Sequence, residues 1–288
     1  MNSFKFITFL FFVLINSCGL RERRFNGDYE SPKAYDLKHG EKLILPEVLD
    51  EVSGITIGKN GNIWAIQDES SIVYELKWPK KKILRKSKFA KNMDLEDILY
   101  TDKGLYGLKS NGDIYEIINV FEKKTNSNIH DFPFKGKRDL ESLAQLNDNQ
   151  LILFCKSCKL DKNKNVASAF TFDLNTNTYS ELKDYKLTEK KLRKVLNEEQ
   201  DFKLTVKPSA ASMHPIENKL YVISSVGKWL LIMDRFGDPE QIYRLDPRVF
   251  KQAEGITFNQ QGDMFISNEA HDGNPNILKF KYQPEQSK

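Results

Sequence analysis

Asp94-Leu95-Glu96-Asp97-Ile98 returns as Asp139-Leu140-Glu141-Ser142-Leu143 and, altered, as Gln252-Ala253-Glu254-Gly255-Ile256. Glu51-Val52-Ser53-Gly54-Ile55 and Lys207-Pro208-Ser209-Ala210-Ala211 are looser copies. Each copy opens an apolar strand and is followed by a turn, usually with Gly or Asn. A second apolar strand comes next, as in Asn62-Ile63-Trp64-Ala65-Ile66 and Asp263-Met264-Phe265-Ile266-Ser267, and ends in small or acidic residues. A third strand often closes the unit, as in Ile72-Val73-Tyr74-Glu75-Leu76 and Asp113-Ile114-Tyr115-Glu116-Ile117. The five starts lie 43, 45, 68 and 45 residues apart. Three of these spacings suit a repeating blade of about 40–50 residues, and the long one implies an insertion. The pattern predicts an all-β chain folded as a five-bladed β-propeller with four-stranded antiparallel blades.

Working outward, Tyr35-Asp36-Leu37 and Lys42-Leu43-Ile44-Leu45 read as strands that precede the first repeat and complete the last blade. Such a mixed blade hides the open sheet edges of the ring. Asn111-Gly112 reads as a hairpin turn of the primed kind. In the long spacing, Thr188–Leu196 has apolar residues at helical spacing behind a Thr that suits an N-cap. It predicts a short helical insertion near 188–200, over one mouth of the ring or against its rim. The propeller domain is expected to span 35–282, with a frayed tail at 283–288.

The N-terminus stands outside the fold. Lys5 precedes an apolar run at 6–15, broken only by Thr8. Ten residues cannot span a bilayer, which needs about 20, so the run reads as a signal-peptide core. It ends in Ile15-Asn16-Ser17-Cys18, a lipobox-like sequence, although Asn16 is an unusual second position. Residues 1–17 are therefore expected to be a lipoprotein signal peptide, Cys18 the acylated residue, and 18–34 a flexible tether. This implies a bacterial cell-envelope protein held to the membrane by its lipid. No acidic run follows Cys18, which favours a periplasm-facing location. Lys+Arg 44 against Asp+Glu 40 gives a net charge of +4, too mild for a nucleic-acid partner.

The repeat motifs, together with Trp64-Ala65-Ile66-Gln67-Asp68-Glu69 and Asn268-Glu269, resemble the SdiA-regulated family of bacterial propeller proteins. The resemblance covers roughly residues 47–282. It implies a five-bladed propeller, distantly related to NHL-repeat propellers, with a bound calcium ion, and it brings no biochemical activity with it. Ser53 and Ser209 stand where three copies have Glu, so a fivefold carboxylate ring is excluded.

The residues themselves point to one constellation. First strands line a propeller's channel, so Glu96, Glu141 and Glu254 should converge. Three carboxylates about 6 Å apart repel by roughly 3 kcal/mol per pair at an effective dielectric of 20. A proton, a basic side chain or a hard cation must relieve that. Oxygen-only ligands select calcium, or magnesium, over zinc. The competing interpretation is that the glutamates cap strands and bond backbone amides between blades. Ser53, Asp68, Ser209 and Glu269 are the secondary candidates for channel lining or ligand binding. Cys155 and Cys158 are compatible with a structural disulfide or with two buried thiols; a strand precedes them, which argues against a redox CxxC. His214 and His271 read as loop histidines, and no nucleophile elbow is present.

Two functions follow. The first is a lipid-anchored, monomeric binding or scaffolding module with a structural calcium and an unknown protein or small-molecule ligand. The second is a metal-dependent hydrolase of the lactonase or esterase kind. The residues offer a metal but no acid–base partner beside it, so binding ranks above catalysis.

Overall fold

A computed structural model describes residues 29–162, 165–196, 202–271 and 273–284. Five four-stranded antiparallel sheets form a ring. Blade one comprises Val52–Ile57, Ile63–Gln67, Ile72–Leu76 and Ile83–Lys88. Blade two comprises Leu95–Thr101, Gly104–Lys109, Ile114–Ile118 and Asn126–His130. Blade three comprises Leu140–Asn147, Gln150–Cys155, Ala169–Asp173 and Thr178–Glu181. Blade four comprises Ala210–Met213, Leu220–Ser224, Trp229–Met233 and Pro239–Arg244. Blade five comprises Ala253–Phe258, Met264–Asn268 and Asn276–Phe280, with Glu41–Ile44 as its outermost strand. The chain is a five-bladed β-propeller.

The second and third strands of each blade are mostly apolar because both faces are buried against neighbours, whereas outer strands such as Asn126–His130 and Thr178–Glu181 are polar and largely exposed. Five apolar clusters result, one at each blade interface. Alternation along a strand serves two interfaces at once: Trp64 and Ile66 face blade two, while Ile63 and Ala65 face blade five.

The ring closes as expected for Glu41–Ile44, whose Leu43 pairs with Ile277 and whose Lys42 pairs with Leu278. Tyr35-Asp36-Leu37 is a correction, because it forms turns and not a strand. Tyr35 and Leu37 instead plug the interface of blades four and five. The Tyr35 hydroxyl donates to the Gly262 carbonyl and lies 2.6 Å from His214 Nε2. His214 Nδ1 accepts from the Glu217 amide at 2.9 Å, which makes Nε2 the protonated nitrogen. His214 stands in the loop after Ala210–Met213, as expected, but it is fully buried.

The Asn111-Gly112 turn also differs from expectation. Only Gly112 has positive φ, and the Lys109 amide donates to Asp113 across a three-residue loop. A glycine in the left-handed region makes that loop possible. The insertion carries a two-stranded ribbon, Val166–Ala167 with Leu187–Thr188, and the five-residue helix Glu189–Arg193. Thr188 caps it, accepting from the Lys191 amide at 3.1 Å. The helix packs against the outer strand of blade four and buries Leu192, so it lies on the rim and not over a mouth. Residues 197–200 of the expected insertion, the signal peptide, Cys18, most of the tether and residues 285–288 lie outside the described residues.

Close approach of the innermost strands explains one glycine. A Cβ on Gly54 would sit 2.5 Å from the Ile98 amide nitrogen and 2.5 Å from Asp97 Oδ1. Asp97 is itself buried and accepts from the amides of Ile98 and Leu143, at 2.8 and 2.7 Å, tying blade two to blade three. Gly54→Ala should therefore cost about 1–3 kcal/mol by overpacking. Calorimetry checks this, and an unchanged melting temperature would show that blades one and two separate freely at this point.

Candidate functional site

The motif residues reach the channel through a recurring β-bulge. In blade two Leu95 faces Lys109 and Asp97 faces Leu108, so Glu96 has no cross-strand partner. Glu141 is skipped in the same way between Leu140 and Ser142, and Glu254 between Ala253 and Gly255. Blade one shifts register between Val52 and Ile55, a step that takes in Ser53. A bulge bends the strand and re-aims the extra side chain. Here it turns glutamates that would alternate into a blade interface towards the ring axis.

The result is a cavity of about 220 Å³ lined by Glu96, Glu141 and Glu254 with Ser53, Asp68, Ser209 and Glu269, and also by Lys156 and Gln252. All seven cavity candidates read from the sequence meet there. The serines play a different part from the glutamates. Ser53 Oγ donates to the Leu95 carbonyl at 2.9 Å and Ser209 Oγ to the Ala253 carbonyl at 2.8 Å. Each stitches its blade to the residue before the glutamate of a neighbouring blade. The strand-capping interpretation therefore describes the serine copies, and the glutamate copies face the cavity.

Five carboxyl groups share this space with one ammonium. Burial, then repulsion from Glu141, Asp94 and Asp139, pushes the Glu96 carboxyl up to about 10. Burial pushes Glu141 up to about 8, opposed by Lys156 and reinforced by Glu254. Burial, Glu254 and Asp68 push Glu269 up to about 8, and burial with Glu51 pushes Asp68 up to about 6. Glu254 and Asp139 are raised by burial as well, each against the pull of Lys156. Lys156 Nζ is ion-paired with Glu141 Oε1. Burial lowers the Lys156 pKa, but Glu141 and Glu254 outweigh it and the net shift is upward.

Two acceptors in the cavity lining, Glu141 Oε2 and Asp68 Oδ1, are buried without a protein hydrogen-bond partner. Oxygens of Glu96, Asp139 and Glu141 all lie within 4.8 Å of one another. Glu254 is not part of that group; Asp139 takes the place the repeat register assigned to it. Glu141 is only 7% exposed, so its orphaned oxygen meets the kind of desolvation cost that a bound cation removes. The donor set is carboxylate oxygen alone, which fits a hard cation.

The residues missed by sequence reasoning had a signal. Lys156 follows the second strand of blade three as Asp68 follows that of blade one and Glu269 that of blade five. The surrounding cysteines masked this shared offset. Asp139 directly precedes its first strand, where Glu51 and Asp94 stand in two other copies. Cys155 and Cys158 are joined as a disulfide, with Cα atoms 6.0 Å apart. The strand ends at Cys155 and the chain bends directly after it, which is the turn that an offset of three requires. His271 lies outside the cavity lining.

Fold and cavity together define a β-propeller with an acidic channel mouth. The chain superposes on the glutaminyl cyclase of Myxococcus xanthus with a TM-score of 0.53 at 11% identity, over 85% of this chain and 96% of that one. An aldose sugar dehydrogenase from Streptomyces coelicolor, solved with PQQ bound, gives 0.48 at 10% identity over 85% and 99%. A virginiamycin B lyase from Staphylococcus aureus gives 0.44 at 12% identity over 84% and 74%. At these identities the likeness is one of fold alone. No protein-family model and no curated protein matches the sequence.

Proposed function

We propose that this chain is a lipid-anchored cell-envelope propeller of the SdiA-regulated kind, acting as a binding or scaffolding module around one calcium-like cation. The carrying observation is the buried, unpartnered Glu141 Oε2 within a group of three carboxylates, Glu96, Asp139 and Glu141. These residues would hold the ion, with Glu254, whose charge acts on the same cavity, supplying further negative charge. A bound divalent ion would offset the burial and the mutual repulsion that push all three of these carboxyls upward. Calcium suits an irregular carboxylate set better than magnesium, which demands near-octahedral geometry. The order and spacing of the motifs support the family assignment. Crystals grown with calcium should give an anomalous peak within reach of Glu96, Asp139 and Glu141. A cavity without a peak, and no heat on calcium addition, would leave Lys156 as the counter-charge and overturn the metal.

The hydrolase reading has one observation in its favour. Glu269 lies on the wall of the same cavity, and burial pushes its carboxyl up to about 8, towards the range a general acid needs.

The anchor rests on the N-terminal sequence. Among the described residues no helix is long and apolar enough to cross a membrane. Cys18→Ser should release the protein from the membrane fraction almost completely. Each buried methylene of an acyl chain contributes about 0.8 kcal/mol, and the run at 6–15 is too short to replace it. Retention of the variant after alkaline extraction would defeat the lipoprotein assignment.

A further inference from the structure

The disulfide loop and the cation site are built into one another. The amides of Lys156 and Ser157 both donate to the Asp139 carbonyl, at 2.8 and 3.1 Å. Lys159 is held in turn by the Lys137 carbonyl at 2.7 Å. The Cys155–Cys158 bridge closes this short loop at its base, so Lys156 leaves a backbone that is fixed at both ends. Its Nζ lies on Oε1 of the very carboxylate whose Oε2 is orphaned. The ammonium is mostly buried, with 19% of the side chain exposed, and its charge also acts on Glu254.

We propose that Lys156 is a captive counter-cation that sets the affinity of the channel-mouth site, so that a divalent ion binds only by displacing its ammonium from Glu141. This rests on the cation reading above. A site of several buried carboxylates with no internal cation would bind calcium tightly and stay filled. One that must first expel a tethered ammonium binds the ion more weakly, because the Lys156–Glu141 ion pair is lost on binding. Such a propeller responds to the calcium level of its surroundings instead of carrying the ion permanently. The lysine stem is long enough to swing its head out of the cavity while its backbone stays pinned to Asp139.

Calorimetric titration of the intact protein with calcium chloride tests this, comparing wild type with Lys156→Met, which keeps the stem and removes the charge. The variant should bind at least tenfold more tightly. A second measurement does not depend on that variant folding. Lysines labelled by reductive methylation with ¹³C-formaldehyde should show one resonance, assigned by its absence from Lys156→Arg, that shifts with calcium occupancy. Equal or weaker binding by Lys156→Met overturns the inference while leaving the site standing. So does a Lys156 resonance that stays still while wild type binds. Absence of calcium binding in both proteins overturns the site and the inference together.

Discussion

Calcium should raise the melting temperature of this protein by roughly 5–10 °C at pH 8 and by much less at pH 5. A ligand that binds only the native state contributes about 2.7 kcal/mol at 100 times its dissociation constant. For a domain of this size each kcal/mol moves the midpoint by about 2–4 °C. The pH dependence follows from the cavity carboxyls. Glu96 and Glu141 rise from an ordinary 4.5 to about 10 and about 8 on folding. Between those values the folded state binds more protons than the unfolded one. Their contribution is therefore fully present below about pH 4.5 and is lost as the pH climbs through 8 and then 10. Without the ion, stability should fall over that window, by an amount on the order of a few kcal/mol. On the proposed cation site, calcium would replace the missing protons, so its effect should grow as they leave.

Glu141→Gln should shrink the calcium response, because it removes the charge and keeps the shape. The comparison variant is Glu122→Gln, since Glu122 is exposed. Glu75, although on a third strand, cannot serve as an inert control. Its carboxylate is ion-paired with Arg85 and accepts from Asn60, Asn62 and the Trp64 indole. Burial pushes it up, but Arg85 and the two amides outweigh that and hold it at about 2. It stabilises the fold above about pH 4.5 and loses that role as the pH falls towards 2, outside the calcium window. A melting temperature indifferent to calcium at pH 8 would remove the cation from the account.

Deleting the chain through Leu45 should abolish cooperative melting. The deletion takes away the outer strand of blade five and leaves the edge of Asn276–Phe280 bare. It also strips Tyr35 and Leu37 from one interface core and Leu43 and Leu45 from the next. Burial of each such side chain is worth about 1.5–3 kcal/mol, and the four together rival the whole stability of an ordinary domain. An unpaired apolar edge also invites association with another chain. The deleted protein should therefore appear as aggregate in size-exclusion chromatography. Leu45→Ala, at a fully buried position, gives a graded version and should cost about 2–5 kcal/mol by denaturant unfolding. A truncated monomer that melts like the parent would show that ring closure contributes little here.

Much of the architecture could be read from residue order. Blade count follows from the repeat of Glu96, Glu141, Glu254, Ser53 and Ser209 at one offset, and the ring then brings equal offsets to one axis. The closing strand was legible because the apolar residues at 43–45 precede the first repeat. These are periodic features, and periodicity is a property of the linear chain. Other features depended on contacts between residues far apart. The glutamates face the cavity because each sits in a bulge, and a bulge is a mismatch between two strands that neither strand encodes alone. Asp139 joined Glu96 and Glu141, in place of Glu254, because side-chain reach across adjacent blades differs from reach across the ring. Tyr35 looked like a strand residue by its apolar neighbours, yet its hydroxyl needed Gly262 and His214, more than 170 residues away. Lys156 lay in plain view between two cysteines. Only the tertiary structure decided that it is the cation facing five carboxyls, because charge compensation depends on distance in space and not along the chain.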